Sequence, residues 1–152
     1  MKCYIINLDR SPERMKHMRS QMKSHGLEFQ RVRATDCAQM PADDYERICP
    51  QKGHAHRLSP MEVACFMSHR RAWKKIVSGP EQYGVVLEDD LALGTLAGDY
   101  LRTDEWIPTG IDIVKIETTK RRFLRLKPRL IIDDRSQLMR IASSCVGGGG
   151  YI

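Results

Sequence analysis

The sequence predicts an α/β fold, a mostly parallel sheet flanked by helices, and three observations predict it. Residues 3–8 and 83–87 are short, nearly continuous apolar runs rich in Ile, Val and Leu, the pattern of strands buried on both faces. Helical periodicity fills residues 11–25 and 59–77, so strand and helix alternate along the chain. No apolar run approaches the roughly 20 residues of a membrane span. With 152 residues, 41% of them hydrophobic, the chain suits one domain with a substantial core, expected to span residues 1–152.

Residues 3–8 give the first strand, and Asp9-Arg10 a turn. Ser11 as N-cap and Pro12 at the first helical position open a helix. Met15, Met18 and Met22 recur at helical spacing as core residues, and Gly26 sits where a C-terminal cap belongs. Residues 27–32 alternate as a second strand and complete a β-α-β unit. Residues 41–48 read as a short helix and residues 49–58 as an exposed loop. Ser59-Pro60-Met61-Glu62 is a capping box. Its helix should run to about Val77, with Val63, Phe66, Met67, Trp73, Ile76 and Val77 on the buried face, until Gly79-Pro80 stops it. The next strand runs into Glu88-Asp89-Asp90. Beyond a looser stretch and a turn at Trp106-Ile107-Pro108, residues 111–117 read as a strand, as do 130–132 and 138–141. Tyr151-Ile152, after four glycines, reads as the start of a further element, so the chain is expected to lack a C-terminal portion.

The chemistry concentrates at Glu88-Asp89-Asp90. Side chains alternate along a strand, which would send Glu88 and Asp90 to one side and Asp89 to the other. The carboxyl end of a buried strand is where open α/β sheets bind ligands, and hard carboxylate oxygens suit Mg²⁺ or Mn²⁺. The plain alternative is a solvated acidic turn. Arg10 and Arg14 follow the first strand, and Arg is the bidentate partner of phosphate; ordinary surface charge is the competing account. One of Ser68, His69 and Arg70 should project from mid-helix toward the same edge, unless His69 is a satisfied interior histidine.

Other classes fit less well. Five cysteines without a C-x-x-C imply free thiols, and Cys49, His54 and His56 lack a fourth ligand for zinc. No G-x-S-x-G, Walker loop or G-x-G-x-x-G occurs. A metal-dependent phosphohydrolase would need a second acidic cluster or a nucleophile. The net charge of +6 favours anionic partners, yet aromatic residues are only 7% and no nucleic-acid motif is present, so no nucleic-acid partner is expected. The N-terminal run is too short for a signal peptide, which points to a cytoplasmic protein. The basic run Lys120-Arg121-Arg122-Phe123-Leu124-Arg125-Leu126-Lys127-Pro128-Arg129 reads as a solvated hairpin guarding a sheet edge, or as a contact for an anionic acceptor or membrane surface.

Four segments carry a resemblance. Residues 6–15 (Ile-Asn-Leu-Asp-Arg-Ser-Pro-Glu-Arg-Met), the helix from Glu62 through Ser68-His69-Arg70 to Val77, Val86-Leu87-Glu88-Asp89-Asp90, and residues 112–117 together resemble glycosyltransferase family 25. This is the family of bacterial lipopolysaccharide and lipooligosaccharide galactosyltransferases. The resemblance implies a GT-A-type fold, a UDP-sugar donor (commonly UDP-galactose), Mn²⁺ or Mg²⁺, and transfer with inversion to a lipopolysaccharide-type glycan; the basic run is what suggests peripheral contact at the inner membrane. The resemblance places Asn7, Asp9, Arg10, Arg14, Ser68 and His69 at the donor and Glu88 and Asp90 at the metal. Asp112 and Glu117 are the candidates within the chain for the base. Met61-Glu62-Val63-Ala64-Cys65 departs from the family's Gly-Glu-Ile-Gly-Cys pattern, and an inactive fragment that binds nucleotide-sugar is the alternative reading.

Overall fold

Every residue from Cys3 to Asn7 is buried, which places strand β1 (Lys2–Asn7) in the middle of the sheet. The structure, a computed structural model, describes residues 1–50, 57–117, 124–142 and 148–152. β1 pairs in parallel with β2 (Phe29–Arg33) on one side and β3 (Gly84–Glu88) on the other. A two-residue strand, β6 (Gly150–Tyr151), lies antiparallel to β3 and completes the order β2-β1-β3-β6. The sheet is therefore mostly parallel, as expected.

Alternation along β1 divides the core between two helical layers. Cys3 and Ile5, with Val85 and Leu87, pack on Met15, Met18 and Met22 of α1 (Pro12–Ser24). Tyr4, Ile6 and Val86 pack on the opposite face with Ala72 and Ile76 of α3 (Pro60–Val77). Gly26 ends α1 at φ +62°, donating to Lys23 O at 3.1 Å while Leu27 N–H reaches Met22 O at 2.9 Å, the paired bonds of a Schellman cap. Ser11 occupies the N-cap position, but its hydroxyl makes no capping bond.

The capping box of α3 is formed, Glu62 N–H reaching Ser59 Oγ and Ser59 N–H reaching Glu62 Oε2 at 2.7 Å. Its buried face differs from the expected one. Val63, Ala64, Ser68, His69 and Ala72 face inward, Met67 and Ile76 are half-buried, and Phe66, Trp73 and Val77 are exposed. The small residues at 64, 68 and 72 form an i, i+4 row that lets the helix lie close on the sheet, which the larger side chains could not do.

The short helix α2 (Ala42–Ile48) precedes α3, and α4 (Ala97–Leu101) lies within the stretch read as loose. Residues 111–117 do not form the expected strand. Lys115 bridges Tyr151, and Val114 and Ile152 exchange backbone bonds at 2.9 and 2.8 Å. Ile116 N–H also reaches Gly150 O at 3.2 Å, so the contact is an isolated bridge and not a ladder. β4 (Arg125–Ile131) and β5 (Gln137–Ile141) form a separate antiparallel hairpin, longer than the two short strands read from sequence. Tyr100 Oη donates to Asp133 Oδ2 at 2.6 Å and holds that hairpin to α4. Lys120, Arg121, Arg122, Phe123, His54, His56, Cys145 and Gly147 lie outside the described residues. Among the described residues, no helix is long and apolar enough to cross a membrane.

Gly84 lies where α3 crosses the sheet, and a Cβ there would stand 2.6 Å from Ile76 Cγ1 and 2.9 Å from Cδ1. Gly84→Ala should destabilise the fold by about 1–3 kcal/mol through overpacking. Urea denaturation should show a smaller additional loss when the same change is made in an Ile76→Ala background.

Candidate functional site

The carboxyl ends of β1 and β3 lie side by side, with Ile6 in register with Glu88. They open onto a cleft of about 230 Å³ that Asn7, Arg10, Arg14, Ser68, His69, Glu88, Asp89 and Asp90 line together. Most of the expected site residues are thus gathered at one sheet edge.

Asn7 is almost fully buried. Its Nδ2 donates to Asp89 Oδ2 at 2.6 Å and to Ser11 O at 2.9 Å, while its Oδ1 accepts from Arg31 Nε at 2.8 Å. Asp89, also buried, meets the Arg14 guanidinium at 3.4 Å. The alternation expected of a strand stops at Glu88. Asp89 and Asp90 form a turn, and Asp90, exposed at the mouth, lies 4.0 Å from the same guanidinium.

Glu88 turns toward α3. Its Oε1 lies 3.0 Å from His69 Nε2 and accepts a long contact of 3.9 Å from the Cys65 thiol. His69 Nδ1 lies 2.9 Å from Tyr151 Oη, which accepts from Trp73 Nε1 at 2.6 Å. The His69 bond holds the Glu88 carboxyl below its ordinary range, against the opposing effect of burial. Burial, then the Glu88 charge, raises the Cys65 thiol. Burial likewise pushes the Tyr151 phenol up to about 12.

Arg10 pairs with Asp36 at 2.9 Å yet stays two-thirds exposed at the rim. Asp9 is drawn away from the cleft by Arg31 at 2.7 Å and Arg33 at 2.5 Å, which hold its carboxyl below the ordinary range. It lines instead an adjoining groove between β2 and α3. The Ser68 hydroxyl donates to Ala64 O and accepts from Thr35 N–H at 2.8 Å, so it ties α3 to the segment after β2. Asp112 is exposed and does not line the cleft. Glu117 pairs with Lys115, accepts from Gly149 N–H at 3.1 Å, and lines a second cleft of about 780 Å³ that shares Asp90. Sequence reasoning missed Asp89 as the buried anchor, Arg31 as the support of Asn7, and Cys65 and Tyr151 as neighbours of His69. The i, i+4 spacing of Cys65 and His69 was the available signal for one of these.

Removing the Asn7 amide would leave a buried carboxylate short of a donor. Asn7→Ala should cost about 1–3 kcal/mol in urea denaturation. Asn7→Asp should cost more at neutral pH and recover on acidification, because two carboxylates then share one site. Glu88 has the opposite sign: its depressed pKa gives stability that is full above the ordinary value of 4.5 and lost as pH falls through the lower, folded value. Glu88→Gln should therefore flatten that acid limb of the stability profile.

The family model described as "Glycosyltransferase family 25 (LPS biosynthesis protein)" matches residues 1–152. Among curated proteins, the lacto-N-neotetraose biosynthesis glycosyltransferase LgtE of Neisseria meningitidis is 29% identical over 161 residues, covering all of this chain and 56% of that protein. The lipooligosaccharide biosynthesis protein lic2B of Haemophilus influenzae is 28% identical, covering 98% of this chain and 58% of its own length. LgtB of Neisseria meningitidis is 33% identical over 127 residues, 78% of this chain and 45% of that protein. The chain thus spans about half the length of the curated relatives it matches. With a family model matched from its first residue to its last, and three of the four quoted segments lining one cleft, the chain belongs to glycosyltransferase family 25.

Proposed function

We propose that this chain is the donor-binding part of a GT-A-type glycosyltransferase. In this reading it moves a sugar, galactose first among candidates, from a UDP-sugar to a lipopolysaccharide-type glycan with inversion. One observation carries the reading: in a family 25 chain, two arginines (Arg10, Arg14) and four carboxylates (Asp36, Glu88, Asp89, Asp90) share the cleft at the carboxyl ends of adjacent parallel strands. Arg10 and Arg14 are both more than half exposed, and Arg14 is held only at 3.4 and 4.0 Å. Their remaining N–H donors are free to turn onto a diphosphate and stabilise it as it departs.

The donor set at the mouth suits a hard cation. Glu88 and Asp90 offer carboxylate oxygens, and the exposed Asp90 is bound only loosely to Arg14, so these two residues would hold Mn²⁺ or Mg²⁺. When bound, such an ion supplies charge neutralisation on the leaving diphosphate. Asn7 holds the strand ends in place, Ser68 fixes α3 against the edge, and His69 orients Glu88. Asp9 acts through Arg31, which it and Asn7 share. The acceptor hydroxyl must lose its proton to a carboxylate as it attacks the anomeric carbon. Of Asp112 and Glu117, Glu117 is the nearer in kind, because its cleft shares Asp90. A cytoplasmic site of action, with the hairpin at the inner membrane surface, fits the exposed Leu126 and Leu130 around Lys127.

Sugar transfer and UDP release should be assayed with a panel of UDP-sugars, with and without Mn²⁺. Calorimetry should find metal-dependent UDP binding that Glu88→Ala and Asp90→Ala each weaken by tenfold or more while circular dichroism is unchanged. Wild-type binding by both variants would remove these residues from the metal site. For the hairpin, Lys127→Glu combined with Arg125→Glu should reduce co-sedimentation with anionic vesicles at low salt, and added salt should erase the difference. Vesicle binding indifferent to both charge and salt would leave the hairpin as an edge guard only.

A further inference from the structure

We propose that Cys65, His69 and Glu88 form a second kind of metal site, one for a borderline-soft divalent cation such as Zn²⁺. Cys65 and His69 stand at i and i+4 of α3, so they project from one face of the helix, and Glu88 meets them from the end of β3. Their ligand atoms all lie within 4.8 Å of one another, Glu88 Oε1 being 3.0 Å from His69 Nε2 and 3.9 Å from Cys65 Sγ. Zinc bonds of about 2.0–2.3 Å in a tetrahedron place ligand atoms roughly 3.3–3.8 Å apart, so the observed separations need only small side-chain adjustments.

The donor types choose the ion. Thiolate and imidazole favour Zn²⁺ over Mg²⁺ or Mn²⁺, which take oxygen. One thiolate, one carboxylate and one neutral imidazole carry two negative charges, and a divalent ion makes the half-buried cluster neutral. The surroundings orient the histidine as metal-ligating histidines are usually oriented. With Nε2 on the ion, Nδ1–H donates to Tyr151 Oη, whose other lone pair already accepts from Trp73. Without the ion, the tautomer that satisfies both contacts has Nε2–H donating to Glu88 and Tyr151 donating to Nδ1. Binding therefore shifts the imidazole tautomer, turns the phenol, and releases one proton from the Cys65 thiol to solvent. The cluster lines the cleft, which leaves a fourth position for water or a ligand.

Glu88 belongs to both this set and the hard-ion set, so the two ions compete for that carboxylate. This consequence alone rests on the donor-site reading; the soft-ion site itself does not.

The test is direct binding by the whole chain. Zinc calorimetry in two buffers of different ionisation enthalpy should give one ion per chain and about one proton released. Substitution with Co²⁺ should give a thiolate-to-metal charge-transfer band. Cys65 is exposed, so Cys65→Ser should fold normally, lose the band and bind Zn²⁺ more than tenfold more weakly. Tyr151→Phe, which removes only the orienting hydroxyl, should weaken binding about tenfold. Asp90→Asn should leave zinc binding unchanged even where metal-dependent UDP binding is lost, which separates failure of one reading from failure of the other. Wild-type zinc affinity in Cys65→Ser, or a cobalt complex without the thiolate band, would overturn the proposal.

Discussion

The side-chain amide of Asn7 joins four segments with three short bonds. It reaches the carbonyl that precedes α1, the turn after β3 and the arginine of β2, all from the last position of the central strand. A buried amide is stable only when its donors and acceptor are met, and a buried carboxylate only when it is offered N–H groups. Asn7 and Asp89 meet these needs for each other. The consequence is that the turn carrying Asp89 and Asp90 is fixed relative to α1, and with it the distance between Arg14 and the carboxylates. The geometry of the cleft follows from this one polar contact more than from the apolar core beneath it.

Much of this arrangement was legible in the sequence wherever local chemistry dictates structure. The capping box at Ser59, Gly26 after α1 and the apolar run into Glu88 each announce their element and its end. The convergence of residues 7–14 with residues 88–90 followed from parallel pairing. What stayed hidden depends on partners distant in sequence. Residues 112–117 have strand composition but meet Gly150 to Ile152 only through an isolated bridge and three backbone bonds. Phe66, Trp73 and Val77 look like core by hydropathy, whereas the small row Ala64, Ser68 and Ala72 sets the packing distance of α3. Asp89 looked like the carboxylate facing away from the chemistry, and only the structure shows it as the anchor.

Two chemistries meet at Glu88. Toward Asp90 it contributes hard oxygen, and toward α3 it closes a triangle with sulfur and imidazole. A carboxylate can serve either set because its two oxygens are separate donors, but one bond to His69 already biases its orientation. The adjacent basic groove along β2 and α3 adds positive charge beside both, through Arg33, Arg71, Lys74 and Lys75. Positive charge thus lies along the rim while carboxylates gather at the strand ends.

The bond between His69 and Tyr151 spans 82 positions of the chain. During synthesis, β1, α1, β2, α3 and β3 are all made before the residue that orients the histidine exists. A nascent sheet edge on β3 therefore waits, without its antiparallel neighbour, for β6 to arrive. Contacts closed over such separations form late and slowly. The order of synthesis thus completes the strands that build the cleft before the residue that contacts His69.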